Sequence, residues 1–395
     1  MTVAGRCFWL FLLAIVSCSL KAQEQPEPGD DAIVPGWREE FREEYELFRD
    51  YGEDWRLGTF FAVNSEDGLI LAGGPILYHF GFRTFPYVYR MQLLAGVSIP
   101  TGRFKVDYSA QWPALSERFS LDLRTFLSQL ELRNFYGFGN NTGRDEELES
   151  DGYYTVSSTE LFVEPVLRYR VVRGVTVGLG ASVRTLNAEE EEDRFLNPSD
   201  FRDFGDNRTV GSLTLSQIID TRDHQLAPHG GVSLHLEARG YLEVFGNEEP
   251  FQKYLGEFRF YLGDTIGTDF MFAARVRGEI ISGTFPFYEA AFLGGVSSLR
   301  GFPSQRFAGD ASLLGSVELR FSIGRWKIIV PTEVGLFLLA DAGRVWVDGE
   351  SPGTWHTDAG GGIWIAPLNR DTILSLSVAR SREGFFIGGG IGFGF

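Results

Sequence analysis

The chain has 395 residues and a formal net charge of −17, which argues against a nucleic-acid partner because contacts to phosphates need a basic surface. Aromatic residues make up 14% of the sequence, with 35 Phe, 14 Tyr and 8 Trp, and they occur together with 48 Gly. This mixture is unusual for a soluble α/β enzyme. It is typical of a membrane β-barrel, where aromatic residues form girdles at the two interfaces.

Residues 1–22 are typical of a cleavable signal peptide. Arg6 precedes an apolar run at 8–16 that is too short to span a bilayer as a helix, and we expect cleavage after Ala22. The residues before Cys18 also fit a lipoprotein cleavage box, so a lipid on this cysteine is an open alternative. Because the only other cysteine is Cys7, the cleaved chain would have no disulfide and no cysteine-ligated metal.

Residues 23–54 form an acidic leader with 12 acidic and 3 basic residues, a net of −9. The segment 23–36 contains proline and is typical of a flexible periplasmic segment. Aromatic residues then recur at spacings of four, four and three, at Trp37, Phe41, Tyr45 and Phe48. This spacing predicts a short amphipathic helix. Packing on the barrel rim is the default interpretation, and a plug of the lumen or a docking site for a partner are the alternatives.

From Trp55 onward the sequence alternates between apolar and small or polar residues, as membrane strands do. We predict a 16-stranded antiparallel transmembrane barrel over 55–395, an all-β fold. The strands are expected near 56–63, 69–79, 88–99, 104–112, 119–130, 156–170, 175–186, 210–220, 232–241, 254–262, 268–281, 313–323, 332–343, 358–366, 372–380 and 385–395.

The predicted connections alternate in length. Long polar links are expected at 131–155, 187–209, 282–312 and 344–357, whereas most of the links between them are brief. Long outer loops and short periplasmic turns are the usual asymmetry of such barrels. An even strand number also places both ends of the barrel on the periplasmic side.

Two motifs stand out within this pattern. Residues 294–302 read GGVSSLRGF, and residues 220–231 begin with DTRD and continue to a proline and a glycine pair. The first resembles the (V/L)RG(F/Y) signature in the sixth loop of the BamA/TamA superfamily of outer-membrane barrels, also called bacterial surface antigens. The second resembles the periplasmic turn between the eighth and ninth strands of that superfamily.

The resemblance extends over most of residues 55–395. Residues 135–142 are similar to an FYGxGN element, and residues 80–87 resemble an early turn of short members. Residues 317–320 and 339–346 match the twelfth and thirteenth strands of the superfamily. The resemblance therefore implies the fold and an outer-membrane location in a Gram-negative bacterium.

The resemblance also implies a role for the sixth loop. It places the loop inside the lumen and pairs Arg300 with Glu318 and Asp341 on the twelfth and thirteenth strands. An arginine offers five donors in a fixed fork, which suits two-pronged contacts to a carboxylate. Gly301 permits a close turn and Phe302 packs beside it. We interpret the cluster as an architectural latch; a gating switch is the alternative, and catalysis is disfavoured because a fixed arginine suppresses acid–base function.

Further residues follow from the resemblance. The periplasmic turn motif comprises Asp220, Arg222, Asp223, Pro228 and Gly230. The chain closes with Phe393 and Phe395, which we interpret as the terminal aromatic signal that barrel-assembly machinery recognises.

Nothing in the sequence indicates an enzyme, a metal site or a cofactor. His224, His229 and His235 lie in or beside one turn without an HExxH motif, so solvated turn residues are the default interpretation. The acidic runs at 145–147 and 189–193 are interpreted as solvated loop charge, with divalent-ion bridging to anionic surface lipid as an alternative.

Two functions from different classes remain. The superfamily inserts or translocates proteins, or less often moves lipid, through the outer membrane, usually with periplasmic POTRA domains. Residues 23–54 are too few for such a domain. The first hypothesis is a barrel without POTRA domains that assembles or translocates proteins with a separate periplasmic partner. The second is a passive channel or structural surface barrel. Outer-membrane lipid and lipopolysaccharide surround the barrel in either case.

The composition of the last predicted strand leads to an expectation about the stability of the seam where the barrel closes. Five glycines within 388–394 remove side-chain packing, which weakens a strand. We therefore predict that the seam between the last strand and the first strand is the least stable pairing of the barrel and opens laterally.

Overall fold

The computed structural model describes residues 51–395 except 83, 85, 133, 189–192, 197–207, 226, 246, 248, 264–269, 328–329, 348–352, 369 and 371–372. The predicted signal peptide, the predicted helix over 37–48 and nearly all of the acidic leader lie outside the described residues. The first strand begins at Gly52, three residues before the predicted barrel boundary.

Sixteen antiparallel strands close into one barrel. They are β1 Gly52–Asn64, β2 Gly68–Phe80, β3 Tyr89–Ser98, β4 Phe104–Trp112, β5 Phe119–Ser128, β6 Ser158–Val172, β7 Val175–Ala188, β8 Arg208–Asp220, β9 Gly230–Tyr241, β10 Phe251–Gly263, β11 Phe270–Ser282, β14 Ala311–Lys327, β15 Pro331–Trp346, β16 His356–Pro367, β17 Leu374–Ser381 and β18 Gly384–Ile391. Two short strands, β12 Ala291–Leu293 and β13 Phe307–Gly309, pair with each other in the link between β11 and β14.

The predicted 16-stranded antiparallel barrel is confirmed, and each predicted strand overlaps one barrel strand. The agreement has a physical reason, since alternate residues of each strand must suit two different environments. In β7, for example, Leu179 and Val183 are exposed whereas Gly180 and Ser182 are buried. The last strand is shorter than predicted, because β18 ends at Ile391 and residues 392–395 leave the sheet.

The links predicted to be long include the longest ones, but the alternation is not strict, since three residues connect β1 to β2 and eight connect β2 to β3. Only two residues, 173–174, connect β6 to β7, whereas 129–157 and 283–310 separate β5 from β6 and β11 from β14. The first of these long links contains helix α1, Glu146–Ser150, whose N-cap Asp145 accepts the backbone N–H groups of Glu147 (2.9 Å) and Leu148 (3.2 Å). The acidic run at 145–147 thus starts a helix, where negative charge is favourable, as well as being exposed. Within the described residues no helix is long and apolar enough to cross a membrane.

An aromatic cluster joins the two long links at one end of the barrel. Phe135 of the first link packs against Phe287 of the second, with ring centroids 5.2 Å apart. At the nearby strand ends Tyr241 stacks on Phe251 at 3.9 Å. We call this cluster the aromatic cap; its buried members include Leu132, Phe135, Val156, Tyr241, Phe251, Ile281, Phe287 and Tyr288.

Candidate functional site

The link 283–310 contains the Arg-Gly-Phe motif at the tip of a small hairpin. Strands β12 and β13 form its stem, and residues 294–306 form the tip. Gly294 has φ +117°, and a Cβ there would lie 2.2 Å from the carbonyl oxygen of Pro303. Gly295 has φ +92°. Both positions favour glycine, so the glycine pair shapes the tip.

The structure brings Arg300 together with both predicted carboxylates. Its Nε and Nη2 donate to the two oxygens of Asp341 on β15, at 2.7 and 2.8 Å, and its Nη1 donates to Glu318 on β14. Arg300 is 6% exposed and Glu318 is 0% exposed. Burial alone would lower the pKa of Arg300, but the hydrogen bonds to Asp341 and the charge of Glu318 raise it above its ordinary value. The arginine therefore stays charged and holds both strands.

Gly301 and Phe302 lie where close packing requires them. A Cβ on Gly301 would approach the Cβ of Asp358 on β16 to 2.5 Å, so only glycine fits there without a shift. Phe302 is buried and contacts the rings of Phe307 (5.3 Å) and His356 (5.8 Å) edge-on.

The terminal aromatic residues lie against two further arginines. Arg320 Nε donates to Glu318 at 2.8 Å, and Arg320 Nη2 donates to the main-chain oxygen of Phe395 at 2.9 Å. Its guanidinium sits 3.7 Å from the ring centroid of Phe393, and that of Arg275 sits 4.8 Å from the ring of Phe395. Sequence reasoning missed both arginines, although Glu318 and Arg320 are two residues apart and so share one strand face.

Glu289 is a second anchor of the link that sequence reasoning missed. It is buried, and its carboxylate accepts hydrogen bonds from Arg184 (2.7 Å) and the hydroxyl of Tyr241 (3.0 Å), with Lys253 Nζ at 3.5 Å. Burial would raise the pKa of Glu289, but Arg184, Lys253 and Arg239 lower it overall. No sequence signal marks this residue, since its partners lie on β7, β9 and β10.

The tip also contacts the turn between β1 and β2 and two outer links. Ser304 donates its hydroxyl (2.6 Å) and its backbone N–H to the carboxylate of Glu66. Arg306 donates to Glu383, between β17 and β18, at 2.9 Å and to the hydroxyl of Thr142 at 2.6 Å. The link is thus tied to strands all around the barrel.

The predicted FYGxGN element docks on β15. The side chain of Asn140 donates to the carbonyl of Val345 (2.6 Å) and accepts from its N–H (3.0 Å), so the amide pairs with the strand as a neighbouring strand would. Phe135 and Tyr136 of the same element are buried. In the part of the chain that the structure describes, no group of His, Cys, Asp and Glu is arranged to hold a metal ion.

The predicted periplasmic turn motif forms a compact connection between β8 and β9. Arg222 donates to both oxygens of Asp220, at 2.9 and 2.7 Å, and Asp223 accepts the backbone N–H groups of His229 (2.9 Å) and Gly230 (3.2 Å). These contacts stabilise the turn from within.

The glycine that this turn requires is Gly231 rather than the predicted Gly230. Gly231 has φ +111°, and a Cβ there would lie 2.6 Å from the carbonyl oxygen of Thr221, whereas a Cβ on Gly230 would meet nothing within 4 Å. Pro228 lies beside Trp364 of β16 at a small cavity. The turn therefore reaches the wall formed by the late strands.

The seam between β1 and β18 is short. It has three Cα partners, Ala62 with Gly390, Val63 with Gly389 and Asn64 with Gly388, whereas β8 and β9 have eight. Among the described residues, Gly52–Phe61 pair with β2 and with no strand on their other side. After these pairings the chain turns away from β1, and the N–H of Gly392 donates to the carbonyl of Ile373 at 2.8 Å.

Comparison with solved structures shows the same fold at low sequence identity. BamA from Haemophilus ducreyi lacking POTRA domains 1–3 matches with a TM-score of 0.58 and 16% identity, over 87% of this chain and 71% of that one. CdiB from Acinetobacter baumannii matches with a TM-score of 0.53 and 11% identity, over 87% of this chain and 66% of that one. CdiB from Escherichia coli matches with a TM-score of 0.55 and 14% identity, over 86% and 63%.

This chain spans less than two thirds of either CdiB chain. No curated relative matches the sequence. The family model of the Omp85 superfamily domain matches residues 95–382, which is more than half of the chain and includes the Arg-Gly-Phe tip, the DTRD turn and both carboxylates. The resemblance to the BamA/TamA superfamily is thereby confirmed: the chain belongs to the Omp85 superfamily.

Proposed function

We propose that this Omp85 barrel lies in the outer membrane of a Gram-negative bacterium and assembles or translocates proteins there, together with a separate periplasmic partner. The observation that carries the proposal is the open edge of β1. Residues 52–61 present backbone N–H and C=O groups on a side where no described strand pairs with them. An unpaired edge is a template for another strand, so an incoming segment can add to the sheet by main-chain hydrogen bonds.

The three-residue seam supports the same proposal. All three positions that β18 contributes are glycines, which have no side chains to pack and weaken a strand. Lateral opening at this seam therefore disrupts fewer contacts than opening between β8 and β9, which share eight Cα partners. A client strand paired with β1 would meet the bilayer directly.

We infer that the link 283–310 folds into the lumen and acts as a latch. Its contacts to Glu318 and Asp341, to the wall around Glu289 and to Glu66 reach strands on different sides of the barrel. Groups that converge from opposite walls meet in the interior of a closed barrel. A gating switch, in which a client displaces the link, is the alternative role for the same contacts.

The aromatic cap argues against the passive channel. It packs buried rings from two links and the adjoining strand ends together at one end of the barrel. Packed aromatic side chains leave no room for water between them. A barrel whose mouth is narrowed by this cluster and whose seam is short suits the lateral passage of a client better than permeation.

The acidic leader is the proposed docking element for the periplasmic partner. Its net charge of −9 over residues 23–54 favours a partner with a basic surface, since opposite charges steer association. The barrel's own insertion, as for other aromatic-terminated barrels, would use the barrel-assembly machinery.

A disulfide across the seam tests the proposal. The Cβ of Ala62 lies 3.7 Å from a Cβ built on Gly390, which matches disulfide geometry. In a strain lacking the gene, the Ala62→Cys/Gly390→Cys variant should fail to restore client barrels to the outer membrane until a reductant is added. The matched control, Leu215→Cys/Ala238→Cys across β8 and β9, should restore them with or without reductant.

The passive-channel alternative predicts the opposite pattern. The purified barrel would carry a steady current in a planar bilayer, and deletion of the gene would leave the levels of other outer-membrane proteins unchanged. Those two results together would replace the proposal with the alternative. We expect no steady current from the wild-type barrel.

A further inference from the structure

A cavity of about 580 Å³ lies between β1–β4 and the tip of the link 283–310. Its volume falls in the range of about 300–1,000 Å³ that is usual for small-molecule sites. On the tip side it is lined by the glycine pair, by Val296 and by three polar residues, Ser297, Ser304 and Gln305. The cavity is separate from the arginine cluster around Glu318.

Most of the wall that β1, β2 and β3 contribute to this cavity is apolar, which is unusual for the interior of a membrane barrel. The strand residues that line it include Phe60, Ala62, Ile70, Ala72 and Leu94. The opposite face of the same strands is also apolar, with exposed side chains at Trp55, Leu57, Leu69, Leu71, Leu93 and Val97. This part of the barrel therefore has hydrocarbon-compatible surfaces on both sides.

The cavity reaches the open part of the seam. Phe60 lines it and is 40% exposed, and it lies two residues before Ala62, which makes the last pairing with Gly390. Further along the seam, Val296 occupies the space next to Gly388. A Cβ built on Gly388 would lie 2.4 Å from the Cγ1 of Val296. The cavity therefore lies against the part of β1 where the glycine pairings end and the open edge begins.

The other end of the cavity is polar. Lys105 Nζ lies 2.6 Å from Glu131 and 3.8 Å from Asp107, and all three residues line the cavity. A ligand that is apolar along its length and polar at one end matches this lining. An apolar cavity holds water poorly, and it gains contacts when an apolar group fills it.

We propose that the cavity binds one acyl chain of a membrane lipid, which enters sideways through the seam between β1 and β18. The bilayer supplies the lipid at the open edge of β1, and the polar end of the bound chain, where it joins the headgroup, lies beside Lys105, Asp107 and Glu131. Occupancy replaces a void beside the weakest pairing of the barrel with packed hydrocarbon. This site goes beyond protein assembly and does not depend on it.

Quenching by brominated lipid chains tests the site. A bimane label on Ala72→Cys would report from the cavity, because the sequence has no other cysteine after residue 22. The labelled barrel is placed in vesicles of phosphatidylethanolamine and phosphatidylglycerol, with and without bromine on the phosphatidylethanolamine chains. We expect at least a twofold loss of fluorescence when bromine is present.

Two reference positions calibrate the signal. Ala95→Cys lies on the exposed face of β3 and should be quenched as any lipid-facing label is. Ser233→Cys lies on β9 in phase with Glu237 and Arg239, and Arg239 forms ion pairs with both Glu237 and Glu164. The label at this position should not be quenched. Quenching of the Ala72→Cys label no stronger than that at Ser233→Cys would overturn the proposal.

A variant that fills the cavity is compared with a variant that adds the same bulk outside it. Leu94→Trp places bulk in the cavity, whereas Leu93→Trp adds the same bulk on the exposed face of β3. Leu94→Trp should abolish quenching at Ala72→Cys and leave that at Ala95→Cys intact, and Leu93→Trp should change neither. Faster migration of unboiled samples in detergent gels checks that each variant is folded. Quenching at Ala72→Cys that survives Leu94→Trp in a folded barrel would equally overturn the proposal.

Discussion

Ser304 and Glu66 join the Arg-Gly-Phe tip to the strand that borders the seam. The hydroxyl of Ser304 donates to one oxygen of Glu66 at 2.6 Å, and its backbone N–H donates to the other. Glu66 lies in the turn directly after β1, and Arg300 of the same tip is bound to β14 and β15. The tip therefore connects the first strand of the barrel to the late strands independently of the sheet itself.

Removal of the Glu66 carboxylate should loosen the first hairpin. Glu66→Ala deletes the acceptor of two hydrogen bonds, which should lower the free energy of unfolding by about 1–3 kcal/mol. Equilibrium unfolding in urea, followed by the shift between folded and unfolded bands in cold detergent gels, measures the loss. Glu146→Ala, at an exposed position on α1, is the control and should stay near wild type.

Arg300→Ala should be among the more damaging changes. It leaves Asp341 buried without its arginine and Glu318 with Arg320 as its remaining arginine, and breaking a buried ion pair costs about 3–5 kcal/mol. Arg300→Lys should recover only part of this, because lysine keeps the charge but loses the fork. The exposed pair of Arg56 with Asp54 gives the comparison, since Arg56→Ala should cost about 0–1 kcal/mol. Equal losses for Arg300→Ala and Arg56→Ala would show that the latch contributes no stability.

The seam should form disulfides more slowly than an interior pairing. Under the same oxidant, Ala62→Cys/Gly390→Cys should crosslink at a lower rate than Leu215→Cys/Ala238→Cys, because three Cα partners hold the seam against eight between β8 and β9. Gel shifts over a time course give both rates. Equal rates would remove the support for lateral opening.

Acid should weaken the contacts that the Glu289 carboxylate makes with the barrel wall. Its folded pKa lies below the ordinary value, so its contribution to stability is complete at neutral pH and is lost as the pH falls below the ordinary glutamate range and through the folded pKa. Thermal melting from pH 7 to pH 3 measures the effect. Glu289→Gln should be less stable at neutral pH and lose less across that window, whereas the exposed Glu117→Gln should follow the wild-type curve. A wild-type and a Glu289→Gln curve of the same shape would contradict this.

The membrane location has a direct test. An outer-membrane barrel of this kind should migrate faster unboiled than boiled in detergent gels and should remain in the membrane after carbonate washing. Equal migration together with release by carbonate would refute it.

The alternation of residue types was enough to predict the sixteen strands, because each strand has to satisfy lipid on one face and the interior on the other. The partners of Arg300 came from the resemblance, not from the pattern. Glu289 and the Ser304–Glu66 contact could not be predicted, since they depend on the path of a link that crosses between distant walls. The early end of β18 at Ile391 has a local cause, as glycines weaken a strand and Gly392 adopts φ +89°.

The placement of Phe393 and Phe395 against Arg320 and Arg275 has a consequence for biogenesis. An assembly signal at these residues is readable only while the chain is unfolded, because the closed barrel engages both rings with its own guanidinium groups. In the predicted role of Phe393 and Phe395 as an assembly signal, folding would remove that signal from the reach of the machinery. Release of the finished barrel would then follow from its own folding, because the two rings are no longer accessible to the machinery. Rebinding would require the C-terminal residues to leave the arginines.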